Sequence, residues 1–403
     1  MSTKRCFITS SEKKPLQLLP PYYRWVVLFT LFFSFVVFAF VFQLVPPILN
    51  TLQKEFGVND AEAGLLMSMV MIPGILIALP AGFVINKRGF RSLGLLSIIS
   101  VAIGSLVTAL AENFATALLG RIITGIGGGF LIVGIPTVIP QWFSHKELGK
   151  AMGTYGTNMP VAIITAFPTA TLLTQNFGWR SSFYFGAVLS IACALLFLFT
   201  VKQGPLRIET KPVNMEITRA MKAPEVWKIG LVWMLFNTVT IGYLTWAPKL
   251  FEQFKGLDTF YASLLASLVM YSAVCFVPVF GWASDRSGRR KPFIVTGSLL
   301  MSLTLISIAY TYNISLLISV LGLGVAAAMV PPLVMTATAR SLPPELSGTG
   351  FSIVTLCQNV GITLSAPLVG YLMQTTQSIS TTFLWISLFT FAGTAIALTI
   401  RTK

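Results

Sequence analysis

Trp25 to Asn50 reads WVVLFTLFFSFVVFAFVFQLVPPILN, an unbroken run without a charged side chain. A hydrocarbon layer about 30 Å thick is crossed by about 20 apolar residues in a helix, so this stretch is long enough to span a membrane. Eleven further runs of similar length follow it. The expected spans are 25–50, 62–86, 92–111, 114–140, 149–174 and 181–201, then 226–250, 260–284, 292–312, 314–339, 347–373 and 379–400. Pro73, Pro160, Pro331 and Pro332 fall inside these runs without vetoing them, because neighbouring helices satisfy the backbone groups that proline frees. The whole chain has the same character. Of its 403 residues 55% are apolar and only 10% charged, against about 25% charged in soluble proteins. A water-exposed surface cannot be built from so few charges.

The net charge of +15 does not point to nucleic acid, which requires basic residues clustered on one folded face. Here they fill the gaps between apolar runs, where they set orientation. With the N-terminus in the cytoplasm, 23 Lys and Arg side chains fall inside. Four fall outside (Lys54, Arg180, Lys249, Lys255), and Arg121 lies within a span. The polar tail, residues 1–24, has no apolar core of its own, so the first span is expected to act as an uncleaved anchor. Cys6, Cys193, Cys275 and Cys357 have neither metal-ligand nor disulfide-framework spacing. Gly125-Ile126-Gly127-Gly128-Gly129 looks superficially like a nucleotide loop but lacks a preceding strand and a following lysine. It reads as close helix packing, and no cofactor is expected.

Residues 202–224 form the only long internal polar stretch and divide the chain into 25–201 and 225–403, six spans each. The halves echo one another at a fixed offset of 199 residues, which carries Gly82 to Gly281, Gly89 to Gly288, Gly125 to Gly324, Gly149 to Gly348 and Pro168 to Pro367. The expected fold is an all-α membrane protein of twelve transmembrane helices in two pseudo-symmetric six-helix bundles, with both termini cytoplasmic. Parallel repeats of this kind belong to transporters that move two bundles about a midplane site.

After the second span comes Gly82-Phe83-Val84-Ile85-Asn86-Lys87-Arg88-Gly89-Phe90-Arg91, and after the eighth Gly281-Trp282-Ala283-Ser284-Asp285-Arg286-Ser287-Gly288-Arg289-Arg290-Lys291. Both resemble the Gly-x-x-x-Asp-Arg-x-Gly-Arg-Arg loop signature of the major facilitator superfamily. The resemblance implies a cytoplasmic latch built from Gly82, Asn86, Arg88, Gly89 and Arg91 in one half and Gly281, Asp285, Arg286, Gly288 and Arg289 in the other. It places Asp285 near the start of the fifth span, around Gly149 to Met152, where an acid faces a positive helix N-terminus. The first copy departs from the pattern, with Asn86 where the acid is expected, so the two latches should be unequal. Asp285 neutralising its own basic neighbours is the plainer alternative.

Arg121 is the one charge deep within a span, about 10 Å below the outer end of the fourth helix by helical rise. Such residues face a cavity or a partner. The resemblance implies that the first, fourth, seventh and tenth helices line a central cavity. It also sets Arg121-x-x-x-Gly125 beside a second family motif, whose arginine handles substrate or protons. Two readings stand: direct contact with an anionic substrate, or satisfaction by backbone carbonyls or by Gln43 at a similar depth. Near the midplane lie Asn158, Asn237, Thr238, Tyr271, Gln358 and Asn359, with Tyr243 higher on the seventh span. With Arg121 and Gln43 these are the expected substrate-binding set. All thirteen acids fall at span ends or in loops, which fits anion exchange or uniport better than carboxylate-based proton coupling.

Trp142-Phe143, Glu147 to Gly153 and Phe177-Gly178-Trp179-Arg180 are similar to the corresponding segments of cyanate, nitrate and oxalate/formate porters. The expected function is a secondary carrier that moves a small organic or inorganic anion by alternating access, acting as a monomer within the lipid bilayer. An exporter of amphipathic compounds is the alternative within the class. A transport-inactive receptor on the same fold is the alternative outside it. Paired carboxylates, a metal cluster or a nucleophile with its base would mark an enzyme, and the sequence displays none of these.

Overall fold

The computed structural model describes residues 22–143, 145–202, 222–287, 290–341 and 347–400. Eleven of its helical segments are long and apolar enough to cross a membrane. The first span runs from Tyr23 to Phe56, longer than expected, and is broken at Leu44 into Tyr23–Gln43 and Val45–Phe56. The break has a local cause. Pro46 and Pro47 lack backbone N–H groups, so the carbonyls of Phe42 and Gln43 lose their helical donors.

The second to fourth spans are Asp60–Arg88, Phe90–Ala109 and Phe114–Trp142. The sixth is Trp179–Thr200, the seventh Pro224–Lys255, the eighth Thr259–Ser287 and the ninth Lys291–Tyr310. The tenth breaks before Pro331-Pro332 into Asn313–Ala328 and Pro331–Ser341, and Ser347–Thr376 and Ile379–Thr399 complete the set. The fifth is also two helices, His145–Tyr155 and Asn158–Phe177. Thr165, Thr169, Thr171, Thr174, Gln175 and Asn176 dilute its apolar character. Its place in the fold comes from packing against the first, sixth and eighth spans.

The internal repeat is visible in the packing. A methyl group added at Gly125 would lie 2.2 Å from the Val70 carbonyl oxygen, and one added at Gly324 would lie 2.5 Å from that of Val269. Val70 and Val269 are themselves 199 residues apart, so both halves join their helices at the same glycine. Gly127 presses on the Ser97 carbonyl and Gly128 on the Phe38 ring, which makes the glycine run a helix-packing surface. Between the second and third spans, Gly89 takes φ +78°, a conformation open to glycine at little cost. The two halves meet where the second span lies along the eleventh and the fifth along the eighth.

Candidate functional site

The outer face is closed by a charged cluster shared between the halves. Lys249, near the outer end of the seventh span, donates from Nζ to Asp60 Oδ1 at 2.5 Å and to Gln53 Oε1 at 2.5 Å. Gln53 Nε2 in turn donates to the same Asp60 oxygen at 2.6 Å. Lys249 is 8% exposed, and its ammonium also stands 5.6 Å from the Trp246 ring centre. Asn50 Nδ2 donates to Glu252 Oε1 at 3.5 Å beside it. Below the cluster the backbones of the two halves touch. A methyl at Gly370 would meet the Asp60 carbonyl, and one at Gly64 would meet Ala366 and Pro367. Deeper still, Ser68 Oγ donates to the Thr363 carbonyl. By sequence Lys249 is one of four outer basic residues, with no further role assigned. The available signal was a lysine next to Pro248 at the close of a long apolar run.

Arg121 is fully buried, and its guanidinium donates to three main-chain carbonyls. Nε donates to the Leu66 carbonyl at 2.8 Å, Nη1 to Val41 at 2.9 Å and Nη2 to Phe42 at 2.7 Å. Of the two readings set out above, the geometry seen is the backbone one. The cause is the break in the first span: Pro46 orphans the Phe42 carbonyl, and a forked donor from the fourth span takes it up. The aromatic ring of Phe42 lies 5.8 Å from the guanidinium carbon. Gln43 does not join Arg121. It is fully buried, with neither side-chain Oε1 nor Nε2 hydrogen-bonded among the described residues.

The remaining polar residues separate into three kinds. Thr238 holds helices together: its hydroxyl donates to Met234 and Gly361 carbonyls, while its own carbonyl accepts from Ser365. Tyr243 is buried between Phe251 and Phe383, facing the twelfth span, and its hydroxyl has no partner among the described residues. Tyr271 is 39% exposed on the eighth span. Asn237 and Gln358 do meet, since Gln358 Nε2 approaches Asn237 Oδ1 at 3.4 Å, while Asn237 Nδ2 donates to the Trp233 carbonyl at 2.7 Å. Asn158 and Asn359 are each 7% exposed, and neither makes a hydrogen bond among the described residues. Asn359 lines a narrow, partly open crevice between the second, fourth and eleventh spans, with room for about one water.

On the cytoplasmic side, Arg91 donates to the Leu198 carbonyl at 3.3 Å and Arg286 lies over the Trp282 ring at 5.4 Å. A methyl added at Gly281 would meet nothing within 4 Å. Gly288 and Arg289 lie outside the described residues, as do most of the tail (1–21) and of the linker (203–221). The side chains at Asn86, Arg88 and Asp285 and the surroundings of Gly82 lie outside the description as well, so the placement of Asp285 against the fifth span stays an expectation. Arg24 pairs with Glu147 at 2.6 Å, tying the start of the first span to the first helix of the fifth.

A probable nitrate/nitrite antiporter, NarK1 of Thermus thermophilus, is 24% identical over 261 residues. That match covers 62% of this chain and 59% of the relative's length. Multidrug resistance protein MdtG of Salmonella choleraesuis is 25% identical, covering 82% of this chain and 84% of that one. Among solved structures, a bacterial homologue of the human lysosomal transporter Spinster, inward-facing and occupied, superposes with a TM-score of 0.80 at 16% identity. It covers 94% of this chain and 96% of that one. The family model of the Major Facilitator Superfamily matches residues 31–277 and 256–403. With helices at all twelve expected spans among the described residues, a repeated glycine contact and an outer face sealed between two halves, the chain is an integral membrane transporter of the major facilitator superfamily.

Proposed function

We propose that this transporter carries a small anion by alternating access, its halves 25–201 and 225–403 rocking about a midplane cavity, with Asp285 latching the cytoplasmic side when the outer face opens. The supporting observation is electrostatic. Deep within the spans the chain holds Arg121, while by sequence every aspartate and glutamate falls at a span end or in a loop. Its three partners are neutral carbonyls, so the positive charge stays uncompensated. At an effective dielectric near 20, a unit charge about 10 Å away still contributes about 1.7 kcal/mol, worth more than a tenfold preference for an anion. Cargo is then recognised by uncharged amides, Asn158, Asn237, Gln358 and Asn359, while Arg121 acts at a distance. The name of the nitrate/nitrite relative agrees with this reading.

The name and longer coverage of MdtG, together with the apolar crevice walls at Val70, Met71, Ile132 and Val133, favour an exporter of amphipathic compounds as the second reading. Thermal unfolding of the purified protein separates the two. Nitrite, nitrate and formate are expected to raise the midpoint saturably, as ligands that bind the native state do. Stabilisation by tetraphenylphosphonium and by none of the anions would favour the exporter.

A further inference from the structure

We infer that an anionic phospholipid of the inner leaflet lodges in a cleft between the cytoplasmic halves of the fifth and eighth spans. Its acyl chain lies on the open face of the eighth span, with its phosphate beside Arg286 and Lys150. Such a lipid acts on how the carrier moves, whichever solute it carries. The cleft follows from the internal repeat. On the second span Gly64 meets Ala366 and Pro367 of the eleventh, and Ser68 bonds to Thr363 there. The 199-residue offset carries Gly64 and Ser68 to Ser263 and Ser267 on the eighth span, and Ala366 and Pro367 to Phe167 and Pro168 on the fifth. Ser263, Ser267 and Phe167 are fully buried where those two spans pack. Continued toward the cytoplasm at helical spacing, the same face of the eighth span holds Tyr271, Cys275, Pro278 and Trp282. Every one of these is exposed. The fifth span meets the eighth through Asn158–Phe177, while its cytoplasmic helix, His145–Tyr155, packs on the first and fourth spans. A methyl added at Gly149, Gly153 or Gly281 would meet nothing within 4 Å. The two spans therefore touch in their outer halves and diverge below.

The walls of the cleft select its occupant. From Tyr271 to Trp282 the eighth span carries no charged side chain, over about 17 Å by helical rise. That is close to the depth of one hydrocarbon leaflet, about 15 Å, so an acyl chain matches the wall in polarity and in length. Trp282 is 62% exposed, and Arg286 lies over its ring at 5.4 Å, an aromatic and basic pair suited to the headgroup level. Lys150 is exposed on the cytoplasmic helix of the fifth span. Among the described residues neither Lys150 nor Arg286 has an acidic partner. Cations at the end of an apolar wall fit a phosphate joined to an acyl chain. Closing the cytoplasmic side brings the fifth and eighth spans together and expels the chain. Bound lipid thus favours the arrangement with the outer face closed, through its differential affinity for the two states.

The test uses the full chain in phosphatidylcholine nanodiscs, with and without phosphatidylglycerol. Bromine on an acyl chain quenches indole fluorescence on contact, and the share owed to Trp282 is what Trp282→Phe removes. That share should be quenched at about fivefold lower mole fraction of brominated phosphatidylglycerol than of brominated phosphatidylcholine, the preference one basic side chain contributes near an anionic headgroup. Equal quenching by the two lipids would overturn the assignment. Spin labels at Glu112 and Tyr312, on outer loops of opposite halves, supply the conformational readout in a background without the native cysteines. Phosphatidylglycerol should raise the ratio of closed to open outer face about fivefold, and Lys150→Gln combined with Arg286→Gln should abolish that response. No response in the wild type would overturn the proposed action on rocking. A double variant shifted in phosphatidylcholine alone, its response to phosphatidylglycerol intact, would make the two cations parts of the latch and contradict the proposal.

Discussion

Arg121→Ala is expected to destabilise the purified protein by about 2–5 kcal/mol, a loss read as a lower thermal midpoint in detergent with no cargo present. The substitution removes a large fully buried side chain, for which truncations in well-packed cores cost about 2–5 kcal/mol. It also leaves the Phe42 carbonyl without a donor, because Pro46 cannot supply one; an unsatisfied buried polar group is worth about 1–3 kcal/mol. Against these stands the relief of no longer burying a charge, which keeps the total within the stated range. Arg121→Met, which fills the space without the charge, should lose less than Arg121→Ala. Arg121→Lys keeps the charge but cannot fork onto three carbonyls, and should fall between wild type and alanine. A side chain serving only cargo would give the opposite result, with the empty protein as stable as wild type or more so.

The second large effect belongs to the outer cluster. Asp60→Asn and Lys249→Met should each shift the carrier toward an outward-open state by about 10- to 100-fold, equivalent to roughly 1.4–2.7 kcal/mol. Lys249 is nearly buried where it meets Asp60 and Gln53. Losing one partner of such a pair is strongly unfavourable because the other stays charged and poorly solvated. That penalty applies only while the face is closed, since opening lets water reach both groups. The equilibrium therefore moves by the difference between the two states. Spin labels at Glu112 and Tyr312, on outer loops of opposite halves, report it directly in a background without the native cysteines. The variants should populate a longer distance. A distribution identical to wild type would remove the cluster from the gate.

Much of this architecture was legible in residues alone, because lipid imposes a simple length rule. The uninterrupted run from Trp25 announced a span, and the 199-residue offset announced two halves whose packing repeats at Gly125 and Gly324. The fifth helix was legible only through its place in the count, its threonines having weakened the apolar signal. The site was less legible, for identifiable reasons. Arg121 carried the right label for an anion ligand, but its partners are three carbonyls of the first and second spans, one of them released by Pro46, 75 residues away, and sequence spacing does not report which backbone groups a distant side chain will meet. Tyr243 sits at a plausible depth yet turns toward Phe383, since depth along a helix does not fix which way a side chain faces. The Lys249–Asp60 pair joins residues nearly two hundred positions apart, a contact visible only once the two halves are assembled.

The most direct test of anion transport is counterflow of radiolabelled nitrite in proteoliposomes holding the purified wild-type chain. The account predicts that unlabelled nitrite inside the vesicles drives a transient accumulation of label above the protein-free control. Accumulation absent for nitrite, nitrate and formate alike, while a lipophilic cation is exchanged by the same preparation, would contradict it.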